Sequence, residues 1–340
     1  MRKQKDTLQS YLHIRMSKEH NDLLDLVIIG ASAAGLSASI YAARRKLNFI
    51  IVSMDIGGEV SRSGEVENWL GIEHTNGIEL AQNFQKHAES YDVDIHNGHE
   101  VTKITQEGNI HIVHAKFGAE AIEYKTKAVI IASGIHPRHL SLPGEEALKH
   151  KGVTYCTVCD GPLYKGKTTA TVGAGNAAVE SALMMTGIAD KVYLVTKYAD
   201  DPKTQGGFPK AETVLVNKVK ALENVEIIYN ANTTDILGTD FVTGLRYTDT
   251  VTNESKEIAT DGVMVHIGMI PNSDFVTCGN KNKQGEIEVS LKCETTCAGV
   301  FAAGDVTDIP YKQIIISAGH GATAALSAID YINRWEPLST

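Results

Sequence analysis

A short apolar run that ends in a glycine turn and passes straight into a helix occurs twice in this chain. The first is Asp25-Leu26-Val27-Ile28-Ile29-Gly30, continued by Ala31-Ser32-Ala33-Ala34-Gly35. The second is Thr169-Ala170-Thr171-Val172, continued by Gly173-Ala174-Gly175-Asn176-Ala177-Ala178. Apolar runs of this length, rich in β-branched residues, read as buried parallel strands. Helices are expected from Ala33 to Lys46, with Leu36, Ile40 and Ala43 on one face, and from Ala178 to Thr186, ended by Gly187. Strands over Asn48 to Val52 and Val192 to Val195 complete each strand–turn–helix–strand unit. This order opens a Rossmann fold. Its duplication predicts an α/β chain with two Rossmann-like nucleotide-binding domains, each of three layers.

The length of 340 residues suffices for two domains with cores of their own. A formal net charge of −9 excludes a footprint for nucleic acid or an anionic membrane surface. No run approaches the roughly 18 apolar residues of a membrane span. Residues Met1 to Asp22 are polar and lack the apolar stretch of a signal peptide, so they are expected to be a mobile extension, with Met16 a candidate natural start. Five cysteines are too few for a disulfide scaffold, and a reducing cytoplasm is expected.

Between the turns, an amphipathic helix is expected over Ile78 to Tyr91, with strands near Val101–Ile104, Ile110–Lys116 and Ala128–Ala132. After the second turn, strands are expected near Val225–Tyr229, Gly244–Asp249 and Gly262–Ile267, then at Val300–Asp305. A long helix should follow over Ser317 to Trp335.

Cys156-Thr157-Val158-Cys159-Asp160 carries the chemistry. Two cysteines separated by two residues can close a small disulfide, and a helix beginning there lowers the thiol pKa. Asp160 is placed to move protons to and from the pair. The same spacing also suits half a zinc site, with Cys293 and Cys297 as the other half. The thirteen histidines show no metal spacing, and no metal is expected. Cys278, Cys293 and Cys297 read as packing or surface residues, a Cys293–Cys297 disulfide being a minor alternative. Met184-Met185 reads as core, and His320 as a structural histidine that could also lie near a cofactor.

Gly57-Gly58-Glu59, Glu65-Val66-Glu67-Asn68, Ala132-Ser133-Gly134, Leu142-Pro143-Gly144-Glu145, the cysteine motif, Gly304-Asp305 and Tyr311-Lys312-Gln313 occur in this order. Together they resemble the low-molecular-weight thioredoxin reductases, and the tail from Tyr311 to Ile332 is also similar to the flavoprotein component of alkyl hydroperoxide reductase. The resemblance covers about residues 24 to 335. It implies a discontinuous FAD domain, residues 23–143 and 271–340, around an inserted NAD(P)-like domain, 144–270, that carries the redox pair. Links near Pro143-Gly144 and Gly268–Pro271 would be its hinges.

The resemblance implies a flavin-dependent disulfide oxidoreductase, a homodimer that reduces thioredoxin or a similar protein. Cys159 would face the flavin, Cys156 would attack the partner's disulfide, and Asp160 would be the acid/base. Flavin contacts carried over by position are Gly30, Ser32, Ala33, Ala34, Gly35, Ser53, Gly58, Glu59, Asn68, Val101, Gly134, Gly304, Asp305, Lys312, Gln313 and Ile314. Ser53 stands where a ribose-binding acid is usual, with Asp55 two residues on.

The second turn offers Gly173, Gly175, Asn176, Ala177, Ala178, Thr196 and Lys197 as a nucleotide site. The stretch after its second strand, Val195 to Asp201, lacks the arginines that clamp a 2′-phosphate. No arginine occurs between Arg138 and Arg246. An acid for the ribose hydroxyls of NADH is also missing, since Thr196 stands there. NADPH is therefore not the expected donor; ferredoxin, a deazaflavin or a second flavin is. The alternatives are an NAD(P)H-dependent thioredoxin or peroxiredoxin reductase, and a non-enzymatic flavin- or nucleotide-binding redox sensor.

Overall fold

The structure is a computed structural model that describes residues 23–63 and 65–337; the expected N-terminal extension lies outside them. The described chain divides into two compact units. One holds the residues up to Ser61, Glu67–Gly134 and Pro271 onward; the other holds Arg62–Val66 and Ile135–Ile270. The second is thus inserted into the first.

The first unit opens with β1 (Leu24–Ala31), α1 (Ala33–Arg44), β2 (Phe49–Ile56) and α2 (Gly77–Glu89), the two helices and β2 where the apolar spacing puts them. Asn76 caps α2 by accepting from the Glu79 amide at 2.9 Å. Four strands follow: β3 (Ile95–Asn97), β4 (Glu100–Glu107), β5 (Ile110–Phe117) and β6 (Glu120–Ile131). β1 lies between β2 and β6, with Ile28 opposite both Ile51 and Ile130 in parallel register. The alternation of β1 divides the core. Leu26 and Ile28 pack with Ile51, Ile130 and Leu36 on one face, while Val27 and Ile29 pack with Val52, Val113 and Tyr124 on the other. Each such aliphatic side chain, fully buried, contributes about 1.5–3 kcal/mol.

The inserted unit runs β7 (Val153–Thr154), the single-turn α3 (Thr157–Asp160), β8 (Thr168–Gly173), α4 (Asn176–Thr186), β9 (Lys191–Val195), α5 (Thr213–Lys220) and β10 (Val225–Ile228). Next come β11 (Ala231–Gly238), β12 (Val242–Asp249), β13 (Ser255–Ala259) and β14 (Gly262–His266). The sheet order is β7-β14-β8-β9-β10, with parallel pairing throughout. β11, β12 and β13 form a separate antiparallel sheet. Met185 is fully buried with Ala178, Ala182 and Leu194, as a core methionine should be.

The chain then returns to the first unit through β15 (Val300–Ala302) and α6 (Ile314–Ile332). β15 pairs in parallel with β6, Phe301 opposite Ile130, giving a seven-stranded sheet. α6 packs on α1 so closely that a β-carbon at Gly321 would overlap the Ala34 carbonyl. That contact lets the C-terminal helix complete the layer begun by the N-terminal one.

Candidate active site

In the first unit the turn after β1 is shaped for close backbone approach. Gly30 has φ +107°, and a β-carbon there would overlap the Ala132 carbonyl; one on Gly35 would overlap Gly30's own. Ser32 precedes α1 without capping it, and the first turn of α1 holds no acidic residue. Its N–H groups therefore stay available to an anion. The Ser32 hydroxyl donates instead to the Gly57 carbonyl at 2.6 Å, tying the turn to the loop after β2. Ser53 works the same way: it accepts from the Ala31 amide at 3.0 Å and donates to the Asp55 carbonyl at 2.6 Å. Asp55 in turn accepts from the Gly58 amide at 3.2 Å. Glu59 follows in the single helical turn Gly58–Ser61.

Residues far apart in sequence meet at the head of α6. Asn68 donates through Nδ2 to Gln313 Oε1 at 3.2 Å. Asp305 follows the left-handed Gly304 and accepts from Ser317 Oγ at 2.8 Å. Burial raises its carboxyl above the ordinary carboxylate range, against the opposing pull of Ser317 and Lys312. Lys312 donates to the Thr307 carbonyl at 2.5 Å and pairs with Glu286 at 2.8 Å. Gln313 precedes α6 without a side-chain cap bond, so this second helix N-terminus is also uncapped. A tight glycine turn, an uncapped α1 and a half-buried acid after Gly304 fit a dinucleotide flavin. Ala33, Ala34 and Gly35 would meet its pyrophosphate, Asp305 its polyol chain, and Asn68, Gln313 and Ile314 its ring. Val101 lies on β4 and Gly134 at the unit's edge in an open left-handed bend, neither with a contact that assigns it a role.

In the inserted unit Cys156 is disulfide-bonded and stands immediately before α3. The Asp160 amide donates to the Cys156 carbonyl at 3.1 Å, closing that turn. Beneath it lies a polar network that the sequence pattern did not reveal. Thr157 Oγ1 is 2.6 Å from Ser181 Oγ and 2.7 Å from His266 Nε2, and Ser181 reaches Thr171 on β8 at 3.3 Å. Burial lowers the His266 pKa to about 4, so its imidazole is neutral near pH 7. Glu145, the last residue of the Leu142–Glu145 motif, also acts close to the cysteine turn. Its buried carboxylate accepts from the Leu140 amide at 2.8 Å, the Ser141 amide at 2.5 Å and the Tyr155 hydroxyl at 2.6 Å. Because Tyr155 adjoins Cys156, the Leu142–Glu145 motif anchors the approach to the cysteine turn.

The second glycine turn is laced to its own chain. A β-carbon at Gly173 would overlap the His266 carbonyl, which fixes the turn against β14. Gly175 bridges to Lys210, and Asn176 accepts from the Glu212 amide at 2.8 Å while donating to its carboxylate at 3.3 Å. Ala178 is buried and Ala177 exposed. Thr196 is buried and donates to the Gly207 carbonyl at 3.3 Å, whereas Lys197 is exposed. Arg246 is engaged by Glu257 at 2.7 Å and Asp235 at 3.5 Å.

The pyridine nucleotide-disulphide oxidoreductase family matches residues 24–326. The chain belongs to this family. It is built on the thioredoxin reductase-like α/β fold. The F subunit of alkyl hydroperoxide reductase in Escherichia coli is 39% identical over 94% of this chain and 61% of its own length. Its counterpart in Staphylococcus aureus strain MSSA476 is 41% identical over 93% of this chain and 60% of its own. This chain therefore spans about three fifths of these relatives. Among solved structures, the thioredoxin reductase of T. acidophilum has a TM-score of 0.77 and 36% identity, over 91% of this chain and 99% of that one. Lactococcus lactis thioredoxin reductase superposes with a TM-score of 0.80 at 28% identity, over 92% and 100% of the two chains.

The remaining cysteines depart from expectation. Cys278 and Cys297 are bonded to each other, rather than serving as separate packing residues or pairing Cys297 with Cys293. Cys293 alone keeps the packing role, fully buried in the core under α6. Irregular chain on both sides gave no spacing from which to read the pairing. With Cys297 so engaged, the zinc alternative loses one of its four sulfurs.

Proposed function

We propose that this enzyme moves electrons through FAD and a Cys156–Cys159 disulfide to thioredoxin or a similar small protein. The observation that carries the reading is the disulfide-bonded Cys156 at the head of α3, set over the buried Thr157–Ser181–His266 network. FAD, when bound, supplies the two electrons that open this disulfide. Cys156 as thiolate then attacks one sulfur of the partner's disulfide, and the other partner sulfur leaves as a thiolate. Cys159 attacks Cys156 in the mixed disulfide, which re-forms the internal bond and releases the reduced partner. Asp160 moves the proton that these exchanges take up and release. Neutral His266 positions Thr157 at the first residue of α3 without placing a positive charge beneath the pair.

NADPH is not the donor in this reading. A 2′-phosphate needs a guanidinium fork, and Arg246 is already engaged by two acids. Thr196 is turned into a bond with Gly207, so no acid meets the ribose of NADH either. A reduced ferredoxin, a deazaflavin or a second flavin is the donor class proposed, in a cytoplasmic homodimer. A peroxidase as the recipient in place of thioredoxin is the second reading, favoured by the identity to the alkyl hydroperoxide reductase proteins. Anaerobic mixing separates the recipients: the reduced enzyme is reoxidised rapidly by thioredoxin disulfide in the first reading, and only by an oxidised peroxiredoxin in the second.

A further inference from the structure

Two of the three cysteines outside the Cys156–Cys159 motif differ sharply from the third. Cys293 is fully buried, its Sγ 3.5 Å from the His320 carbonyl, and burial pushes its thiol up to about 11. Such a thiol supplies almost no thiolate at neutral pH and stays out of exchange. Cys278 and Cys297 are each half-buried, with Cα atoms 6.1 Å apart, inside the range a disulfide requires. Cys297 also lines a surface cavity of about 670 Å³, beside Ala298 and Gly299 and with Lys292, Arg334 and Trp335 on its walls. A small molecule can therefore reach this end of the bond, while both cysteines also pack against the core that holds Ile287 and Val306.

We propose that Cys278–Cys297 is a second, redox-responsive disulfide, opened from the cavity by low-molecular-weight thiols and independent of the Cys156–Cys159 exchange. A small thiolate attacks Cys297 Sγ, the Cys278–Cys297 bond breaks, and Cys278 leaves as a thiolate that takes a proton. A second thiol attacks the small-molecule sulfur of the mixed disulfide, which releases Cys297 as a thiol and the small molecule as its own disulfide. Two electrons pass from two thiols to one disulfide.

The bond holds a segment that buttresses the proposed flavin side. Between the two cysteines, Ile287 donates to the Val306 carbonyl and accepts from the Asp308 amide, both at 3.0 Å. Glu286 in the same segment pairs with Lys312 at 2.8 Å. Opening the bond frees the ends of a segment hydrogen-bonded to the Gly304–Asp308 stretch.

The test uses the full-length chain carrying C156S and C159S, which leaves Cys278, Cys293 and Cys297 as its only sulfhydryl positions. Denatured without reductant, it is expected to show one thiol, that of Cys293. After exposure of the native protein to dithiothreitol and its removal under argon, three are expected. Three thiols before treatment, or one after it, would overturn the proposal. Should the double variant not fold, the wild-type protein is alkylated and digested without reductant. A linked peptide joining Cys278 to Cys297 that is lost after native dithiothreitol treatment supports the proposal; its absence from untreated protein, or its persistence after treatment, contradicts it. This outcome does not depend on the donor or recipient of the main reaction.

Discussion

The two glycine turns start from one pattern and end as different objects. After β1 the turn is lashed to neighbouring loops through the side chains of Ser32 and Ser53, while the first amides of α1 keep no side-chain cap. After β8 the helix head likewise has no side-chain cap, but its turn is tied to the loop after β9 by the Gly175–Lys210 bridge and the double Asn176–Glu212 bond. A strand–turn–helix unit thus specifies a backbone shape, and the loop that follows the second strand decides what the helix N-terminus can hold. In the first unit that loop carries Gly57 and Gly58; in the second it carries Thr196, Gly207 and Glu212.

If the inserted unit works through its cysteine motif, serine at Cys156 and Cys159 should cut reduction of the protein disulfide by more than about 1,000-fold, since the covalent relay is gone. Flavin absorbance should be unchanged, and retained turnover would refute the relay. The next largest effect separates the turns. Gly30→Val places side-chain atoms on the Ala132 carbonyl, which should strip the flavin and cost on the order of 3 kcal/mol or more. Gly175→Ala, whose β-carbon would come no nearer than 3.8 Å to Lys210, should keep flavin content and cost less than about 1 kcal/mol. Equal loss in both variants, measured by absorbance and melting, would erase the distinction.

A smaller effect is confined to the network under the cysteine turn. His266 titrates at about 4 in the folded protein against an ordinary 6.5. Its lowered pKa means that the unfolded chain binds a proton in that interval and the folded chain does not. Stability is therefore complete above pH 6.5 and falls as pH drops towards 4, by about 3 kcal/mol. Denaturant melts of His266→Gln should show a flatter profile across that window; an unaltered slope would remove His266 as its source. The smallest effect expected is at Lys197, exposed at the mouth of the second turn. Lys197→Ala should change any rate measured with NADPH by less than about two-fold, because a lone exposed lysine is a weak clamp.

Much of this was legible in the chain because the determining contacts are local or repetitive. Gly30 and Gly35 stand against backbone a few residues or one strand away, and the apolar spacing of α1 and α2 follows a single buried face. β6 was legible only at its end: Ala128–Ile131 is an apolar run, whereas Glu120–Lys127 alternates charged residues on a strand paired antiparallel with β5. α5 escaped because only Val216 and Val219 of its eight residues are buried. His266 and Cys278 escaped for another reason. Their partners, Thr157 and Cys297, are brought to them by sheet order and by irregular chain, which leave no period in the sequence. The pairing of Asn68 with Gln313 was reachable only through the family resemblance, since 245 residues separate them.

In the proposed reaction the second turn no longer admits NADPH while the cysteine motif still delivers electrons. The direct measurement is flavin absorbance under argon, with NADPH, NADH and reduced ferredoxin added in separate experiments. Slow or absent bleaching by micromolar NADPH, with fast bleaching by reduced ferredoxin followed by reoxidation with thioredoxin disulfide, is the expected result. Rapid bleaching by micromolar NADPH would contradict it.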